Sequence, residues 1–148
     1  MKATELMFGD LVRVSKDVCF KKGTIVKVRG IDADDVFPEK GLEGVASCKP
    51  VNDPDRVTCG VWCDYLEPIP LTSEILEQNG FYHERNIGYV YDDCEYEVVV
   101  DLWNNSYRIL YNRDVMINIQ CFSNVFVHEL QHALRLCDVD KEITIKED

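Results

Sequence analysis

The chain is short of basic residues. Lysine and arginine number 16 against 27 aspartates and glutamates, a formal net charge of −11. Binding to a phosphate backbone needs clustered Lys and Arg. The balance therefore argues against direct nucleic-acid binding and against docking on anionic lipid. It leaves room for a protein partner, or for an acidic mimic of nucleic acid, while the plain reading is a solvated acidic surface. Long apolar runs are missing too. None approaches the roughly 20 residues of a membrane span. The opening "MKATELMFGD" has an acid at Glu5 and no long apolar core, so it does not read as a secretory signal. No glycine-rich phosphate loop, Gly-x-Ser-x-Gly elbow or calcium loop is found. The acidic run Asp32 to Asp35 lacks the spaced ligands and closing Glu of a calcium site and reads as a turn.

Hydrophobic residues make up 46% of the 148, enough for a real core and too many for a disordered chain. That length holds one ordinary domain or two very small ones. The seven cysteines, Cys19, Cys48, Cys59, Cys63, Cys94, Cys121 and Cys137, are odd in number and scattered. Without a signal segment they read as reduced thiols, and the expected location is cytoplasmic. Cys59 and Cys63 are separated by three residues with no second pair, which suits a buried strand better than a zinc site.

The chain divides near Pro68-Ile69-Pro70. Before it, "DLVRV", "TIVKVRGID" and "VTCGVWCDYLEPI" are strand candidates among tight turns, and Val36-Phe37 begins another short strand. Residues 38–55 are rich in Gly, Pro, Asp and Asn and read as a long loop. After it, Thr72 is a good N-cap for a short helix that ends at Asn79-Gly80. "IGYVY", "EYEVVVDLW", "SYRILY" and "VMINIQC" alternate as strands. They place Tyr96, Val98, Val100 and Leu102 on one face, then Tyr107, Ile109 and Tyr111, then Val115, Ile117, Ile119 and Cys121. A helix from about Ser123 to Cys137 is the natural cover, and "KEITIK" reads as a last edge strand. The expected fold class is α+β. Residues 1–70 form a small SH3-like barrel or rolled sheet, and residues 71–148 form helix, four-stranded antiparallel meander, covering helix and edge strand. The short, proline-stiffened junction suggests that the two halves pack together.

His128-Glu129-Leu130-Gln131-His132 fits the HExxH pattern of zinc peptidases. On a wheel at about 100° per residue, Val127, Leu130, Ala133, Leu134 and Cys137 share one arc, with Phe126. His128 and His132 fall together on the opposite side, which is expected to meet solvent and to lie away from the meander. A catalytic zinc needs a third protein ligand and an open position. Counting along the metzincin pattern puts Asp138 at that ligand but Arg135 where a helix-breaking glycine belongs. The expectation is therefore no metal and no cofactor. The alternative is a zinc peptidase with His128, His132 and Asp138 as ligands and Glu129 holding the attacking water. His83 reads as a solvated loop residue. Val99, Trp103 and Leu110, on the alternate face of the meander, are candidates for contact with a partner.

"ATELMFGDLVRV", "YLEPIPLTSEILEQNGF", "VHELQHALRLC" and the terminal "EITIK" together resemble a family of small acidic proteins of unassigned role. They are encoded in gut Bacteroides-type genomes and their phage-like or mobile elements. In that family the helix reads V-H-x-L-Q, often with Gln at the position of Glu129 and Asn at that of His132. The resemblance implies that the zinc motif is not what the family is built around, and it carries over no activity. The function expected is a non-enzymatic interaction or accessory module with a protein partner; a homo-oligomer is compatible with it.

Overall fold

Alternating β-branched residues open the first sheet. Val12 and Val14 of β1 (Leu11–Val14) and Val26 and Val28 of β2 (Ile25–Phe37) are all fully buried. They pack with Ala46, Cys48, Val61 and Leu66 into one core. The structure is a computed structural model that describes residues 1–53 and 55–146. It divides into two compact units, Met1–Ile69 and Pro70–Asp148. In the first, β3 (Leu42–Pro50), β4 (Cys59–Trp62) and β5 (Leu66–Glu67) complete an antiparallel sheet in the order β4-β3-β2-β1-β5. No ladder joins β4 to β5 among the described residues, so the sheet is not a closed barrel.

Two expectations for this half are corrected. Half of the region expected to be a loop is β3, whose burial alternates along its length. The glycine within β3 reflects a close approach and not a turn. Gly44 has φ +72, and a Cβ there would sit 2.7 Å from the Ala3 Cβ. The acidic run Asp32 to Asp35 lies within β2, where the register shifts between Asp32 and Val36. The turn itself comes later, in a 3-10 turn at Pro38–Lys40 closed by Gly41. Around this hairpin tip the side chains are largely solvated, so strand pairing tolerates acids there.

The reading of seven reduced thiols is also corrected. Cys19 and Cys59, 40 residues apart, form a disulfide. The sheet carries the start of β4 to the β1–β2 loop, and nothing local in the sequence signals that meeting. The cytoplasmic expectation thus loses the support it drew from reduced thiols. Among the described residues no helix is long and apolar enough to cross a membrane.

In the second unit, α1 (Ser73–Gln78) starts where Thr72 Oγ1 accepts the Ile75 N–H at 3.3 Å. The sheet has five strands, not four: β6 (Tyr82–Glu84), β7 (Gly88–Asp92), β8 (Tyr96–Asp101), β9 (Ser106–Tyr111) and β10 (Asp114–Gln120). Their order is β10-β9-β8-β7-β6. The added strand β6, which contains His83, is exposed throughout, so no hydrophobic alternation marks it. Val98, Val100, Tyr107 and Ile109 fill the inner face as the alternation predicts. Val115 departs from the pattern. A register shift at Met116 pairs Val115 with Leu110, while Ile117 and Ile119 pair with Ile109 and Tyr107. Val115 therefore shares the outer face with Leu110.

The helix α2 (Val127–Leu136) packs against β9 and starts later than expected, because Phe126 is still bridged to Pro70. The terminal "EITIK" forms no strand. It is an extended strap with Ile143 and Ile145 buried, anchored by side chains instead of a ladder. Asn79, itself buried, donates to Ile75 O and Thr144 O, both at 2.7 Å, and accepts the Thr144 N–H at 2.8 Å. Replacing Asn79 by alanine is expected to cost about 2–3 kcal/mol, since buried partners lose their hydrogen bonds. Hydrogen exchange checks this: the Thr144 amide should exchange much faster in the variant, and unchanged protection would refute the anchor.

Candidate functional site

The wheel assumed that α2 is covered from one side only. Instead Val127, His128, Leu130, Gln131, Ala133 and Leu134 are all buried, so the helix is enclosed over a wide arc. Gln131 lies under the strap and donates to Ile143 O at 3.4 Å. His128 is only 7% exposed, which corrects the expectation that it meets solvent. Its ring stacks on Phe126 at 6.0 Å and meets the His132 ring edge-on at 5.6 Å.

His132 also departs from the expected side. With Glu129, Ala133 and Leu136 it lines a shallow trough of about 190 Å³ whose other wall is Tyr107, Ile117 and Ile119. Polar residues of the motif thus border the sheet, because α2 lies near the β10 edge and leaves part of the inner face uncovered.

Glu129 has a local structural task. Its Oε2 accepts the Phe126 N–H at 3.1 Å, one of the backbone donors that a helix N-terminus leaves unsatisfied. The same oxygen lies 4.0 Å from Cys121 Sγ. Burial, and then the Glu129 carboxylate, push the Cys121 thiol up. Burial, followed by Cys121 and Glu129, pushes the Tyr107 hydroxyl up to about 12. Glu129→Ala is expected to cost about 1 kcal/mol, with Glu129→Gln retaining most of the stability, as in a capping box. Urea unfolding measures both; an alanine variant as stable as the parent would remove the capping role.

Asp138 does not join the histidines in a ligand set. It sits exposed just beyond the helix with φ 58, and its N–H donates to Arg135 O at 3.1 Å. Among the described residues no three His, Cys, Asp or Glu side chains are grouped to hold a metal ion. Of the Cys59 and Cys63 pair, Cys59 is bonded to Cys19 and Cys63 is a buried thiol.

The three candidates for partner contact fare differently. Trp103 is 92% exposed, in the β8–β9 turn and not on a strand. Leu110 is half-buried on the outer face. Val99 is only 4% exposed, at the base of an outer depression that Ile87 and Arg108 also line, so it is not a free surface residue.

The feature that motif reading missed is the β10 edge. Val115, Met116 and Ile119 are exposed, as are Phe122 after the strand and Leu136 on α2. The signal was available as an absence: from Val115 to Val127 there is no Asp, Glu, Lys or Arg, in a chain that is 29% charged. Natural edge strands are usually shortened or protected by charge or proline. The edges β4, β5 and β6 are short, and β6 is polar as well. β10 has only its bulge at Met116. No protein-family model, curated protein or solved structure matches this chain.

Proposed function

We propose that the chain is a non-enzymatic protein-interaction module, and that β10 is its binding edge. The observation that carries this reading is an edge strand without charge beyond Asp114 at its start, beside a trough walled by Tyr107, Ile117, Ile119, Ala133 and Leu136. An added strand would satisfy the open backbone groups of β10, and its side chains would reach the trough between β10 and α2. Glu129, occupied as a helix cap, supports binding over peptidase chemistry. An SH3-like arrangement of the first unit is supported by the order β4-β3-β2-β1-β5, the long β2 and the 3-10 turn Cys63–Tyr65 before β5. That likeness suits a binding platform, though fold alone assigns no task. The family resemblance adds an accessory role in a phage or mobile element.

The test is affinity capture from the native host with wild-type bait and with Ile119→Lys bait. A protein retained by the first and released by the second is the expected result. Equal retention by both, or none by either, sinks the reading.

A further inference from the structure

We infer that the partner of β10 is the β10 strand of a second copy, paired antiparallel about Asn118. This rests on the interaction reading above and names its occupant. Backbone geometry sets the register. The Cys121 N–H donates to Asn105 O at 2.8 Å, and Gln120 lies opposite Ser106. Hydrogen-bonded pairs alternate along an antiparallel ladder. Ile119 and Ile117 therefore turn their backbone groups toward β9, while Asn118 and Gln120 turn theirs to the open side.

A two-fold axis through Asn118 satisfies the open groups of that residue in one step. Asn118 exchanges both backbone bonds with its copy. Gln120 lies opposite Met116 of the other strand, and Ile117 lies opposite Ile119. The last pairing puts four isoleucines side by side on the inner face, where each copy leaves its trough open. The contact is isologous and closes at two copies, so it uses up the edge instead of propagating a fibre. The two five-stranded sheets become one.

Charge selects the same occupant. Each copy carries −11, yet β10 contributes only Asp114, at its far end and opposite neither Ile117 nor Ile119 in this register. A basic partner would find no acidic row to recognise on this strand. The two strands of acidic copies can meet here with no acid opposite an acid, while the net charges still repel at long range. Association should therefore tighten as salt rises, whereas capture of a basic partner would weaken.

Sedimentation velocity on the full chain at low and high salt tests the inference. The wild type is expected to form a dimer, more completely at high salt. Asn118→Pro removes only the outward N–H, a change that an edge strand tolerates. Ile119→Lys sets a charge against Ile117 of the other copy. Each should raise the dissociation constant about 100-fold, a difference of about 2.7 kcal/mol, with an unchanged far-UV spectrum. Should Asn118→Pro lose its sheet signal, Ile119→Lys decides alone. A wild type monomeric at both salts, or a dimer that survives Ile119→Lys, overturns the inference. The interaction reading then stands or falls separately, on whether host capture retains a different protein through Ile119.

Discussion

Reducing the Cys19–Cys59 disulfide, or replacing both cysteines by serine, is expected to lower the stability of the first unit by about 4 kcal/mol. The bond closes a sequence separation of 40 residues that includes β2 and β3. Crosslinking so long a loop restricts the unfolded chain far more than the folded one. It also secures β4, a four-residue edge strand. Without the bond, the link from the β1–β2 loop to the residues before β4 retains the Arg56 guanidinium, which donates to Cys19 O at 2.7 Å and lies over the Phe20 ring, and β4 retains its ladder to β3. The effect should be specific. Cys48 and Cys63 are buried, and burial pushes the Cys48 thiol up to about 12, so neither is a ready exchange partner. Urea unfolding followed by tryptophan emission reads the first unit selectively. Trp62 is half-buried and stacked on Phe37, whereas Trp103 is already exposed in the fold. Equal midpoints with and without reductant would show that the two cysteines are not bonded in solution.

Leu130→Ala is expected to cost about 3–4 kcal/mol, the range for deleting a fully buried leucine and leaving a cavity. Leu130 has no exposed surface and lies on the helix that packs against β9. The enclosing sheet and strap are each held by their own hydrogen bonds, so the site cannot readily collapse. Leu136, six residues along the same helix, is 75% exposed. Its alanine variant should stay within about 0.5 kcal/mol of the parent. Thermal unfolding followed at far-UV wavelengths compares the pair. Similar losses for both would mean that α2 does not present Leu130 to the core.

Local pattern was enough for much of the second unit. Tyr96, Val98 and Val100, with Tyr107, Ile109 and Tyr111, repeat every second residue, so a one-residue slip would turn the whole set to solvent. Thr72 and Asn79-Gly80 mark the ends of α1 because a cap acts within one turn of the backbone it satisfies. The apolar arc of α2 likewise named Val127, Leu130, Ala133 and Leu134 as buried. The sequence by itself thus determined which face of each regular element is apolar.

Tertiary structure decided what covers the other faces and which distant groups meet. His128 is buried because α2 is enclosed more widely than its apolar arc requires, and a wheel contains no information about neighbours from elsewhere in the chain. Val115 changed sides because a bulge belongs to a pair of strands and not to one. β3 escaped notice because Gly44 answers to Ala3, more than forty residues earlier in the chain. Cys19 found Cys59 through sheet order alone. Each of these depends on a contact distant in sequence, and the entropy of closing the intervening loop leaves no trace in local composition.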